Sequence, residues 1–121
     1  MFEKDKQNLY PKGVGVLELL VMEKHDGYGV FPLFPQGTAV SNYTVCDEYP
    51  HWYSCVIGGY ETFVADVYVV DGVLIKDYNP TELVVEKDQI VTLSDVVFEW
   101  LYVKDKSGQT GWVPASKVIS I

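Results

Sequence analysis

The chain has 121 residues, enough for one ordinary domain or two very small ones. Valine supplies 20 of them and alanine only 3, beside 17 aromatic residues, a balance that suits pleated sheet and excludes a helix bundle. Nine lysines, no arginine and 17 acidic residues leave a net charge of -8, which argues against nucleic acid and anionic membranes and for a basic partner.

The opening Met1-Phe2-Glu3-Lys4-Asp5-Lys6 lacks the apolar core of a signal peptide, and no apolar run reaches membrane-spanning length. A cytoplasmic location is therefore expected, with Cys46 and Cys55 as reduced thiols. Val14 to Met22 reads as a long apolar strand, followed by the turn Lys24-His25-Asp26-Gly27. Val30-Phe31-Pro32-Leu33-Phe34 reads as a further short strand, Thr38 to Cys46 as an alternating one and Trp52 to Ile57 as another, with Gly58-Gly59 as a hairpin tip. Thr62 to Val69 closes the first half, and the joint falls near Val70-Asp71-Gly72.

The second half runs in the same order. Val73-Leu74-Ile75, Leu83-Val84-Val85, Ile90 to Leu93, Trp100 to Val103, Gly111 to Pro114 and Val118 to Ile121 are apolar stretches, separated by turn residues such as Asp77-Tyr78-Asn79-Pro80 and Lys104 to Gly108. Thr62-Phe63-Val64-Ala65-Asp66-Val67-Tyr68-Val69 aligns with Gly111-Trp112-Val113-Pro114-Ala115-Ser116-Lys117-Val118. A Trp precedes each by a similar interval, Trp52 in one and Trp100 in the other. This is an internal repeat of about fifty residues. Alternation is expected to place Leu101, Val103, Val113, Val118, Ile90 and Leu93 in one core and Tyr53, Cys55, Ile57, Val64 and Val69 in the other.

On these residues the chain resembles the Src-homology-3 (SH3) family, repeated in tandem. Asp77-Tyr78, the acidic and apolar run Glu82 to Asp88, Trp100, and Gly111-Trp112-Val113-Pro114 with Ala115-Ser116-Lys117-Val118 carry the resemblance, Lys117 standing where the family has Tyr. The resemblance implies an all-β fold of two small five-stranded barrels, residues 14–70 and 73–121, packed on each other. It also implies a groove for proline-rich peptides, for which the second copy would offer Tyr78, Trp100 and Pro114, and the first Trp52 and Tyr68, with Ala65 in place of Pro and Tyr28 loosely placed. Neither set is complete, which brings the pattern closer to bacterial SH3-like modules.

Two aromatic patches are the candidate ligand sites. One gathers Trp100, Tyr102, Tyr78 and Pro114. The other gathers Trp52, Tyr49 and Tyr68 beside Asp47, Glu48 and Asp66, an arrangement suited to a cation. No catalytic constellation, phosphate loop, cofactor motif or metal-ligand spacing is present; Cys46, His51 and Cys55 match no zinc pattern. The leading expectation is a non-catalytic module that binds a protein or peptide through the aromatic patches or the cleft between copies. A cell-wall (peptidoglycan) binding module and a purely structural domain are the alternatives, and oligomeric state is open.

Overall fold

A computed structural model describes residues 17–121. Ten strands follow in order: β1 (Leu17–Val21), β2 (Val40–Val45), β3 (Trp52–Ile57), β4 (Tyr60–Ala65), β5 (Val69–Val70), β6 (Val73–Leu74), β7 (Ile90–Val97), β8 (Trp100–Lys104), β9 (Thr110–Pro114) and β10 (Val118–Ser120). The helical segments among the described residues are two three-residue 3-10 turns, Asp66–Tyr68 and Ala115–Lys117, so the fold is all-β. Gly58-Gly59 forms the β3–β4 tip with both φ angles positive, and a Cβ on Gly58 would meet the Phe34 ring at 2.8 Å.

The pairing crosses the sequence joint. β1 belongs to a five-stranded antiparallel sheet in the order β10-β1-β7-β8-β9, filling a place among strands of the second half. β6 hydrogen-bonds to β5, the closing strand of the first half, and reaches the β2 end through the Ala39–Val73 bridge. That bridge makes the order β5-β6-β2-β3-β4, the same sequence of roles as β10-β1-β7-β8-β9. Each half thus houses the opening strand of the other.

Backbone bonds repeat across the exchange. His25 and Val85 bond each other twice at 3.0 Å, as Tyr78 and Phe34 do at 2.8 and 2.9 Å. Met22 donates to the Lys117 carbonyl at 2.7 Å, and Ile75 to that of Tyr68 at 2.9 Å. The cause is local. Asp71 and Gly72 both have positive φ, 53° and 77°, the two-residue turn that folds β6 straight back on β5. Units contiguous over 14–70 and 73–121 would need β6 to leave its neighbour, and this turn holds it there. Residues 14–16, the start of the expected first strand, lie outside the described residues.

Two cores result. One holds Leu19 and Val21 of β1 with Leu83, Val85, Val91, Leu101, Val103 and Val113, an aliphatic set. The other holds Leu74 and Tyr78 with Phe34, Trp52, Cys55, Ile57, Val64, Tyr68 and Trp112, an aromatic one. Several expected positions differ. Val91 is fully buried and Ile90 only half-buried, because positions three apart cannot both face inward on a regular strand and the β7 irregularity lies after Leu93. Leu93, Val118 and Val69 pack at the margins, and Tyr53 is half-buried, stacked on Tyr43 at 4.1 Å. Val30–Phe34 and Leu83–Val85 are not strands. Leu83 donates to the Trp112 carbonyl while Val85 pairs with His25, so no single neighbour runs along the segment. Gly111 permits that crossing: a Cβ there would lie 2.7 Å from the Leu83 nitrogen.

Candidate functional site

The exchange presses the halves together along their aromatic residues. The Trp52 and Trp100 rings lie 6.2 Å apart and Trp52 and Trp112 5.8 Å apart, while Tyr49 meets Trp100 edge-on at 5.2 Å. These packed edge-to-face and tilted rings form part of the wall of a cleft of about 280 Å³. The first half lines it with Gly27, Tyr28, Cys46, Glu48, Tyr49, Trp52 and Phe63, and the second with Tyr78, Pro80, Glu82, Trp100 and Trp112. All three tryptophans of the chain meet there.

The floor is fixed by hydrogen bonds. The Trp52 indole donates to the Phe98 carbonyl at 2.9 Å, that of Trp112 to the Asn79 carbonyl at 3.0 Å, and the Tyr78 hydroxyl to the Phe63 carbonyl at 2.7 Å. Trp52, Trp112 and Tyr78 are each only 4–5% exposed, so they are walls of the molecule as well as of the cleft. Phe98 and Glu99 turn β7 into β8 with φ of 42° and 74°, angles disfavoured for side-chain-bearing residues. First-half contacts hold this turn: Trp52 through its indole and His51 by stacking on the Phe98 ring at 4.3 Å.

Charge in the cleft is negative. Glu48 is exposed, and Glu82 is largely buried with Oε1 2.8 Å from His25 Nε2. Lys117, which is not among the lining residues, donates to the Lys24 carbonyl at 3.0 Å and lies 3.4 Å from His25 Nδ1. Burial first, then the nearby Glu48 and Glu82 charges, raises the Tyr49 phenol above its ordinary range. Burial raises Tyr78 well above it. Both stay protonated near neutrality.

Of the residues singled out from sequence, Trp52, Tyr49, Glu48, Tyr78, Trp100 and the loosely placed Tyr28 share this one cleft, so the two expected patches merge. The others do not line it. Tyr68 is buried in the aromatic core with the Lys76 ammonium 5.0 Å from its ring, and Pro114 is buried at the end of β9. Asp47 is exposed, Asp66 is bound to His51 at 2.9 Å, and the Tyr102 hydroxyl bonds Thr110. Sequence reasoning missed Trp112 and Glu82 as lining residues. Their signal was slight: the parallel Glu82–Trp112 bridge joins two motif residues that sequence spacing keeps apart.

Trp100, the strand it opens and the closing Gly-Trp-Val-Pro segment sit in one sheet, and the variant SH3 domain family model matches residues 72–121. Residues 72–121 are thus similar to an SH3-like domain. SH3-like domains are in general non-catalytic and bind proteins or peptides. Within the matched segment, the domain's opening strand β6 pairs with β5, and β1 stands beside β7 and β10. No curated protein and no solved structure matches the chain significantly.

Proposed function

We propose that this protein is a non-catalytic interaction module built from two SH3-like units that trade their opening strands, and that it takes a positively charged protein segment in the aromatic cleft between them. One observation carries the reading. Three tryptophans and two glutamates from both halves converge on a single cleft with no lysine in its lining. Aromatic anchors in a desolvated centre contribute most of an interface's affinity, and the negative field steers a cation toward them. The recurrence of one strand order in both halves supports the paired-unit reading. The acidic, arginine-free composition supports a protein partner over nucleic acid or an anionic membrane, and two unlinked cysteines suit a reducing, cytoplasmic setting.

The test is a titration of the full chain with matched basic, neutral and acidic peptides, followed by tryptophan fluorescence. Basic peptides should shift the emission saturably, and added salt should slow their association. Trp100→Ala should weaken binding by roughly 2 kcal/mol, about thirty-fold. An emission indifferent to all three peptide classes would overturn the assignment.

A further inference from the structure

Resting on the cleft reading above, we infer that the cation the cleft is built for is an N-methylated ammonium, carried on a methylated lysine side chain. The argument turns on hydrogen-bond supply. A primary ammonium has three N–H donors and a guanidinium five, and each needs an acceptor once water is removed. Glu48 and Glu82 provide the lining's carboxylate acceptors, and one oxygen of Glu82 already faces His25 at 2.8 Å. Trp52, Trp100, Trp112 and Tyr49 provide chiefly ring surface. A trimethylammonium group spreads its charge over methyl groups that donate nothing. It therefore loses little on entering an apolar cleft and gains attraction to each aromatic face it meets.

The indole donors strengthen the point. Those of Trp52 and Trp112 are both engaged by backbone carbonyls, so neither N–H is left to oppose a cation. Largely buried Glu82 and exposed Glu48 both place carboxylates in the lining. An anion meets two carboxylates, and a neutral apolar group forgoes both. A cation without donors is the species this combination favours.

The test uses the full chain, with tryptophan fluorescence and the indole N–H resonances as readouts. Tetramethylammonium chloride is compared with ammonium chloride at equal ionic strength. A lysine peptide is then compared with its trimethyl-lysine form, and choline chloride serves as a small-molecule source of the same group. Tetramethylammonium should shift the indole signals saturably where ammonium does not. The trimethylated peptide should bind at least about ten-fold tighter than the unmodified one. Glu48→Gln, an exposed change compatible with folding, should weaken the trimethylated peptide several-fold, and Trp100→Ala more. Choline binding as tightly as the peptide would keep the methylammonium group and move its source to a small molecule. Equal affinity for the modified and unmodified peptides would overturn the inference while leaving the interaction module standing. Indole signals unmoved by every probe would overturn both.

Discussion

The two halves share a strand order and fill it with different chemistry. Around β1 and β7–β10 the core is Leu and Val, which interdigitate and close without polar atoms to satisfy. Around β2–β6 Trp, Tyr and Phe rings join the aliphatic residues; the hydroxyl and indole groups among them need partners, and the rings line a cleft with Trp100. At the matching backbone position one half places Tyr78 and the other His25; where one has Tyr68, the other has Lys117. One frame thus supports a sealed aliphatic core in one place and an aromatic cleft in the other. The cleft lies where the aromatic core meets its neighbour, so the rings that line it also hold the fold on that side.

That asymmetry can be broken by truncation. Tyr78→Ala removes a ring from the aromatic core and should cost about 3–5 kcal/mol in chemical denaturation, distorting the cleft as well. Tyr78→Phe, which leaves the Phe63 carbonyl without its donor, should cost about 1 kcal/mol. Leu101→Ala in the aliphatic core should cost about 2–4 kcal/mol yet leave peptide affinity unchanged under native conditions. Equal losses of affinity for Leu101→Ala and Tyr78→Ala would erase the distinction between the halves.

Alkali should act on one half first. Burial, with Asp95 nearby, pushes the Tyr68 phenol up to about 12, and burial raises Tyr78 well above its ordinary value. The unfolded chain releases these protons near pH 10, so the stability they confer is complete below that pH and declines as it rises toward 12. Denaturation midpoints followed from pH 9 to 12 should fall above about 10, with Tyr68→Phe flattening the decline. Thiol labelling gives a finer contrast. Cys55 is buried, and burial pushes its thiol up to about 11, while Cys46 is half-buried beside the cleft. A thiol reagent near pH 8 should modify Cys46 first, and a bound peptide should protect it. The smallest effect belongs to the strained turn: Glu99→Gly should stabilise the chain by about 1 kcal/mol by relieving a φ of 74°.

Much of the strand pattern was legible from the sequence because valine-rich alternation and turn residues are local signals. Trp52–Ile57, the Gly58-Gly59 tip and the closing Gly111–Pro114 strand lie where periodicity puts them. The partnership of the strands was not, since β1 and β6 are equally apolar candidates for either sheet. The Asp71-Gly72 pair did carry the decisive hint, a hairpin signature at what otherwise reads as a boundary between units. The site was half legible. Aromatic content and nearby acids mark Trp52, Tyr49, Glu48, Tyr78 and Trp100, but their convergence depends on the exchange, and Tyr68 and Pro114 turn inward for reasons that only packing decides.

The exchanged strands also bear on how the protein is made. During synthesis β1 emerges long before β7 and β10, so its side chains wait while most of the chain is added. The first half reaches completion only once β6 and Tyr78 have followed it, and the second only with Val118–Ser120. Neither half of the chain pairs all of its strands without the other. Completion of the second half becomes a late event, and premature termination before β10 leaves β1 without at least one of its two strand neighbours.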